Sequence, residues 1–354
     1  MRNRPVLVTG GCGFIGCNIA DALASRGDSV IAYDSFARPG SEENAHWLKV
    51  RHGERVEIIR ADIRDPDKIE PAVAQASGVI HLAAQVAVTT SVENPLDDFA
   101  VNMAGTLNIL ECVRRSNPEA PLIFASTNKV YGKLLGSAEV TRKGDRYVPL
   151  DDSLETGVSE RARLDFYSPY GCSKGAADQY VRDYARIYGL RTAVLRMSCI
   201  YGPRQFGNED QGWVAHFMIQ AIQGNPITIY GDGCQVRDIL HVSDAVKAWL
   251  STLDHIDEVT GSVFNLGGGP ENTVSLLEAI EAISDIVGER PRLTFDGWRP
   301  GDQPWYVSDI RTISFGSGWT PRIPVADGMR DLHRWLAARF GNAAKPAAYE
   351  EARA

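Results

Sequence analysis

Val6-Leu7-Val8-Thr9-Gly10-Gly11-Cys12-Gly13-Phe14-Ile15-Gly16 runs from an apolar strand, through three spaced glycines, into a helix. One glycine permits the tight turn, a second lets backbone approach a pyrophosphate, and a third lets helix pack on strand. The helix then presents unpaired N–H groups to phosphate. Gly10, Gly13 and Gly16, with Phe14 and Ile15 at the helix start, are therefore candidate dinucleotide contacts. A plain structural turn is the alternative. An acid follows at the expected distance: Asp34, with Ser35 beside it, ends the second apolar run 18 residues after Gly16 (34 − 16). A carboxylate there suits the ribose hydroxyls of NAD and repels the extra phosphate of NADP, although the nearby Arg38 keeps NADP open.

Working outward, short β-branched runs alternate with helix-length patterns. The runs are Val6 to Val8, Ser29 to Tyr33, Val56 to Ile59, Gly78 to Leu82, Leu122 to Ala125 and Thr192 to Leu195. Several are apolar on consecutive positions, as in strands buried on both faces. The intervening segments include Phe14 to Ser25, Leu96 to Arg114 and Tyr170 to Tyr188. This alternation predicts an α/β fold with a doubly wound parallel sheet. Residues 1–200 form the expected dinucleotide-binding Rossmann domain, which also receives chain from about 235–252. Beyond Pro203, Gly- and Pro-rich turns such as Gly224-Asn225-Pro226 and Arg299-Pro300-Gly301-Asp302 mark a smaller substrate lobe over 201–340, and 341–354 reads as a flexible tail.

The 354 residues suit two domains at about 150 residues each. The hydrophobic fraction is 44% and the charged fraction 23%, ordinary for a globular chain. The formal net charge of −8 comes with no basic block, which disfavours nucleic acid and anionic membrane as partners. No stretch approaches the ~20 apolar residues of a membrane span, and no signal peptide is read after Arg2. The six cysteines form no C-x-x-C pair, and the seven histidines add no metal-ligand spacing. The expectation is a cytoplasmic protein with reduced thiols and no metal.

Ser168-Pro169-Tyr170-Gly171-Cys172-Ser173-Lys174 opens a helix. Tyr170 and Lys174, at i and i+4, share one face, about 5–6 Å apart at Cβ. A free phenol titrates near pH 10, and a neighbouring ammonium is expected to favour the phenolate. Such a group can take a proton from a sugar hydroxyl while hydride leaves the same carbon. The third element, Ser126-Thr127-Asn128-Lys129-Val130-Tyr131-Gly132, follows a strand, and ligands bind at the carboxyl ends of strands in such sheets. Thr127 there can hydrogen-bond the reacting oxygen, or merely cap the turn.

Together these elements resemble the extended short-chain dehydrogenase/reductase family, the nucleotide-sugar epimerases and dehydratases. The likeness spans nearly the whole chain and includes Asp62-Ile63, His81-Leu82-Ala83-Ala84, Asn102-x-x-Gly105-Thr106, Tyr201-Gly202-Pro203-Arg204 and Arg237 to Val242. A narrower resemblance, to the CDP-paratose 2-epimerase branch, lies in Tyr33 to Gly40, Gln85 to Ser91, Ser126 to Gly132, Leu164 to Tyr180, and Arg204-Gln205-Phe206 with Asp210 to Val214. The resemblance implies catalytic roles for Thr127, Tyr170 and Lys174, and NAD contacts at Gly10, Gly13, Gly16, Asp34, Asp62, Ile63, Ala83, Tyr170 and Lys174, with Gln85 and Asn102 nearby. It implies substrate contacts at Thr127, Asn128, Lys129, Gln205, Arg237 and Arg299; an arginine fork suits a diphosphate.

Two departures matter. Many 4-epimerases carry Asn where this chain has Cys199, and the dehydratases follow the catalytic Thr with Asp-Glu, where this chain has Asn128-Lys129. Neither Asn128 nor Lys129 is a carboxylate, so 4,6-dehydration loses its acid and base. The branch implies an isomerase that inverts carbon 2 of a CDP-linked hexose through a transient 2-keto sugar, with tightly bound NAD that is not consumed, in lipopolysaccharide O-antigen synthesis. The alternatives are 4-epimerisation of a UDP- or GDP-sugar, net dehydrogenation or reduction, and a non-catalytic NAD-binding module. The resemblance implies a homodimer or a higher homo-oligomer, paired through helices 96–114 and 170–188, whose apolar stripes carry Val101, Leu107 and Leu110, and Tyr180, Tyr184 and Ile187. Lys133 to Ala162 is expected to be a surface loop near the sugar pocket.

Overall fold

A computed structural model describes residues 4–299 and 301–341. Apart from Gly341, the tail expected over 341–354 lies outside the described residues, as does Pro300 in the turn at 299–302. Seven strands form one parallel sheet: β1 (Val6–Thr9), β2 (Val30–Asp34), β3 (Val56–Arg60), β4 (Gly78–His81), β5 (Leu122–Thr127), β6 (Thr192–Met197) and β7 (Ser262–Leu266). Their order is β7-β6-β5-β4-β1-β2-β3, every pair parallel. Strands β1, β2, β4 and β5 are buried at every position, because helices cover both faces. The order reverses between β1 and β4, which opens a crevice at the carboxyl ends of those strands.

The helices that matter most for this crevice are α1 (Phe14–Ser25), α2 (Gly105–Ser116), α3 (Pro169–Tyr188) and α4 (Val242–Asp254). One face of the sheet packs on α1 and α4 around Ile19, Leu23, Ala245 and Trp249, and the other on α2 and α3 around Ile109, Leu110, Ala177 and Val181. Each Ile, Leu or Val among these contributes roughly 1.5–3 kcal/mol on burial. Chain beyond residue 200 therefore belongs to this unit twice, through α4 and through the edge strand β7.

The remaining chain builds a lobe around Phe217, Met218, Ile280, Ile283, Met329 and Leu332, contributed by helices Trp213–Gln223, Leu276–Val287 and Val325–Phe340. Strand Val236–His241 ties it to the main unit, pairing in parallel with Cys199–Tyr201 just beyond β6. The segment 133–162 is not a loose surface loop. It holds a hairpin, Val140–Lys143 with Arg146–Pro149, in which Tyr147 donates to Asp232 at 2.6 Å and Arg146 to Thr273 at 2.8 Å. Leu135, Val140 and Val158 bury against Val236, Trp305 and Tyr306 in a core of their own. Apolar burial, weakly signalled by short runs, wins over the polar composition. Among the described residues no helix is long and apolar enough to cross a membrane.

Candidate active site

The glycine loop meets its stated requirements. Gly10 adopts φ +66°, and a Cβ there would stand 2.9 Å from the Ala83 nitrogen. A Cβ on Gly11 would stand 2.6 Å from the Val8 carbonyl, and one on Gly16 would collide with the Gly10 carbonyl. Helix α1 starts at Gly13 with no side-chain cap and no acid in its own first turn, and Phe14 and Ile15 at its head line the crevice, where unpaired N–H groups suit an anion. Asp34 is buried, and its carboxylate accepts the Cys12 and Phe36 N–H groups at 3.0 and 2.8 Å. Burial raises its pKa, and these hydrogen bonds oppose the rise. Two carboxylate oxygens have further lone pairs for ribose hydroxyls. An uncapped helix behind close-packed glycines, with a fixed carboxylate opposite, fits a dinucleotide such as NAD.

Gly10, Gly13, Phe14, Ile15, Gly16, Asp34, Ser35, Asp62, Ile63, Ala83, Gln85, Thr127, Tyr170 and Gln205 all line one cavity of about 780 Å³. Arg64 hydrogen-bonds Asp62 at 2.7 Å and holds its carboxyl below the usual carboxylate range. Asn102 and Lys174 do not line the cavity; both are buried behind it. Asn102 lies in a π turn, Ala100–Ala104, that joins helix Pro95–Phe99 to α2. The wider turn re-aims one side chain. Asn102 accepts the Gln85 N–H at 2.8 Å and donates to the Gln85 carbonyl at 3.0 Å, to Asp98 and to Ser173. It thus fixes the cavity wall rather than forming it.

Helix α3 delivers the relay. Ser168 caps it by accepting the Gly171 N–H at 3.0 Å, and Pro169 occupies the first turn, where its missing N–H costs nothing. Tyr170 hydrogen-bonds Thr127 at the end of β5. Thr127 also donates to Asn128 Oδ1 at 3.3 Å and accepts the Lys129 N–H at 3.2 Å. The expected lowering of Tyr170 by Lys174 is not found. Burial pushes Tyr170 up to about 12, opposed by the Thr127 hydrogen bond and by the charge of Arg38, while Asp98 adds to the rise. Lys174 shares the helical face, but its ammonium lies 4.1 Å from the Phe124 ring centroid. Burial brings Lys174 down to about 7, against the pull of Asp178 and Asp98.

Behind the relay stand residues that the sequence reading missed. Asp178 is fully buried; it accepts Arg196 Nε at 2.8 Å and Nη2 at 2.9 Å, and the Ser126 hydroxyl at 2.7 Å. Arg196 also donates to Tyr131 at 3.1 Å. Asp98 accepts Gln85, Asn102 and Ser173, the last at 2.5 Å, and Ser91 accepts the Tyr170 N–H at 3.1 Å. The signal for Asp178 was present: it is the next i+4 step after Tyr170 and Lys174, a carboxylate on a buried stripe.

The remaining candidates for substrate contact sit apart from the cavity wall. Arg237 pairs with Asp302 at 2.6 Å, Lys129 donates to the Gly301 carbonyl at 3.1 Å, and burial lowers the Lys129 ammonium. Arg299 stacks 3.9 Å from the Tyr230 ring centroid and donates to the Glu209 carbonyl at 2.9 Å. Asn128 is buried beside Thr127. Of the six substrate-contact candidates, Thr127 and Gln205 alone line the cavity. Cys199, the departure from Asn, lines it too; its sulfur accepts Trp213 Nε1 at 3.4 Å, and burial raises the thiol.

Comparison with known proteins agrees with this geometry. The sequence profile of the NAD dependent epimerase/dehydratase family matches residues 6–267. The chain is 41% identical over 340 residues to CDP-paratose 2-epimerase of Salmonella typhi, covering 94% of this chain and 99% of that one. It is 33% identical to a putative UDP-glucose 4-epimerase of Methanocaldococcus jannaschii, covering 94% and 98%. Among solved structures it resembles the Thermus thermophilus UDP-glucose 4-epimerase in complex with NAD, with a TM-score of 0.79, 32% identity, and 95% and 99% coverage.

Proposed function

Since the chain belongs to the NAD dependent epimerase/dehydratase family, we propose that it inverts carbon 2 of a CDP-linked deoxyhexose, CDP-paratose foremost, with NAD bound throughout. The observation that carries this reading is the 41% identity to the Salmonella 2-epimerase along 94% of the chain. Asn128 and Lys129 support it, because neither can supply the carboxylate chemistry of dehydration.

Bound in the cavity, NAD supplies a hydride acceptor that returns what it takes, so a sugar carbinol is oxidised and re-reduced with no net redox change. The chain's own part is proton transfer and positioning. Thr127 and Tyr170 share a hydrogen bond at the carboxyl end of β5, where a sugar hydroxyl can join both. Tyr170 takes the proton of the carbon-2 hydroxyl and later gives it back. Its burial opposes ionisation, and the Thr127 hydrogen bond and the Arg38 charge offset part of that cost. Lys174, brought to about 7, changes charge near neutral pH and so suits a proton reservoir behind the tyrosine. Arg237 and Arg299 lie beyond the cavity wall and are engaged with Asp302 and Glu209; gripping the diphosphate requires them to turn to the cavity and exchange those partners for phosphate oxygens, a swap that bidentate guanidinium geometry favours.

The proposed assembly is a homodimer through helix 95–116 and α3. Leu96, Phe99, Tyr180 and Ile187 are exposed there, whereas Leu110 and Tyr184 of the same stripes face their own core. Six free thiols support a reducing, cytoplasmic setting, and a role in O-antigen assembly follows from the CDP-sugar reading. The test is incubation with CDP-paratose and, in parallel, UDP-glucose, the products being resolved by proton NMR of the anomeric region. A CDP-tyvelose signal supports the proposal. Conversion of UDP-glucose alone replaces it with 4-epimerisation, a reading that the 32% identity to the Thermus enzyme keeps in view.

A further inference from the structure

Pro203, Arg204, Gln205 and Phe206 pass between the two lobes, and three of them line the cavity. The Asn18 side chain on α1 donates to the Pro203 carbonyl at 3.2 Å. Arg204 then adopts φ +75°, a left-handed conformation that costs a non-glycine residue energy and persists only where its surroundings enforce it. The enforcement is visible. The Arg204 guanidinium lies 4.0 Å from the Trp47 ring centroid and 5.8 Å from that of Trp335. Trp47 belongs to helix Ser41–His52 of the nucleotide-binding unit, and Trp335 to helix Val325–Phe340 of the lobe. Phe206 meets the Trp335 ring edge-on at 5.3 Å and occupies the space beside Gly40 that a Cβ would need. Arg339 lies 4.8 Å from the Phe206 ring centroid and pairs with Glu43 across the same seam.

We infer that Arg204, stacked between Trp47 and Trp335, is the centre of a clasp that retains the dinucleotide by holding the two lobes together along the Asp34 side of the cavity. Pro39, Ser41 and Asn44, in the segment that follows Asp34, line the same cavity as Arg204 and Phe206, and Phe206 packs on Gly40 of that segment, so separation of the lobes at this seam widens the same wall. Arg204 is a positioning residue, acting through the two tryptophans. A guanidinium suits this role because it stacks on two aromatic faces while remaining charged. Retention matters to a redox-neutral cycle: a reduced cofactor lost in mid-cycle strands an oxidised sugar. The inference rests on the reading that NAD stays bound through turnover. Its test needs no sugar, so a wrong substrate assignment leaves it intact.

The test compares wild type, Arg204→Ala, Arg204→Lys and Trp335→Leu, each loaded with NAD. Release of NAD is timed after dilution into an enzymatic trap that consumes free NAD, and folding is checked by near-ultraviolet circular dichroism in saturating NAD. The expected result is release from Arg204→Ala and Trp335→Leu accelerated roughly tenfold or more, as the loss of cation–π contacts dictates, with Arg204→Lys between them and wild type. Wild-type release rates in folded Arg204→Ala overturn the inference. So does fast release from Arg204→Ala with wild-type release from Trp335→Leu, because Arg204 then touches the cofactor directly instead of clasping the lobes. If Arg204→Ala does not fold, Trp335→Leu, which lies outside the cavity lining, decides alone: accelerated release supports the clasp and an unchanged rate overturns it.

Discussion

Replacing Asp178 by Asn tests whether the relay stands on a buried ion pair. Asp178 is 0% and Arg196 1% exposed, with two hydrogen bonds of 2.8 and 2.9 Å between them. Removing the negative charge leaves the buried Arg196 guanidinium beside a neutral amide, with the Tyr131 hydroxyl at 3.1 Å as a further partner. Breaking such a pair from one side costs about 3–5 kcal/mol, a large part of the about 5–15 kcal/mol that holds a typical domain together. The assay is urea unfolding of wild type, Asp178→Asn, Arg196→Met and the double variant Asp178→Asn/Arg196→Met, all at one NAD concentration because bound ligand adds stability. Each single change is expected to cost about 3–5 kcal/mol, and the double far less than their sum, since no charge is then left unpaired. A cost below about 1 kcal/mol for Asp178→Asn, or strict additivity in the double variant, refutes the reasoning. A second consequence follows at the site: Asp178 is the stronger of the two carboxylates that support the Lys174 charge, so its loss moves Lys174 further below its value of about 7.

Three more predictions concern the site. Tyr170→Phe removes the proton-transferring hydroxyl and should lower turnover about 10²–10⁴-fold while NAD stays bound, as read by the absorbance of NAD released on denaturation; turnover within a few-fold of wild type contradicts the role. Gly16→Ala places a Cβ against the Gly10 carbonyl, so the purified variant should carry little NAD, and full occupancy by the same readout would show that the close approach is not required. Lys174 is charged in an unfolded chain up to about pH 10 but in the fold only below about 7. The unfolded state therefore holds the extra proton across that window, and stability rises with pH from about 7 to about 10 by up to about 1.4 kcal/mol per unit. Denaturant midpoints at pH 7, 8 and 9 should show this slope in wild type relative to Lys174→Met; parallel midpoints would show that Lys174 titrates as an ordinary lysine.

The nucleotide half of the site was legible because its physics is local. Glycines at 10, 13 and 16 answer to backbone approach, and Asp34 answers to its place at the end of an apolar run; both constraints act within a few residues of chain. The relay was half legible. The four-residue spacing put Tyr170 and Lys174 on one face, but which way an ammonium points depends on Phe124, 50 residues earlier (174 − 124). Burial, a property of the whole fold, then reversed the expected shift of Tyr170. Asp178 was legible as the next i+4 step on the Tyr170 stripe, but its pairing with Arg196 was not, because only the fold brings β6 and α3 together. The hairpin at 140–149 was hidden for a related reason: Val140 and Tyr147 sit among polar neighbours, and only the folded contacts show that Val140 is core and Tyr147 packs against it. Likewise the stripe on α2 and α3 divides between core and surface according to packing that periodicity does not report.

The most direct test of the central claim is proton NMR of CDP-paratose incubated with the purified protein in deuterium oxide, without added NAD. Proton relay at Tyr170 with hydride taken and returned at carbon 2 predicts a growing CDP-tyvelose anomeric signal in which the carbon-2 hydrogen remains protium, since that hydrogen never exchanges with solvent. An unchanged spectrum from protein confirmed to hold NAD, or deuterium appearing at carbon 2, would contradict the account.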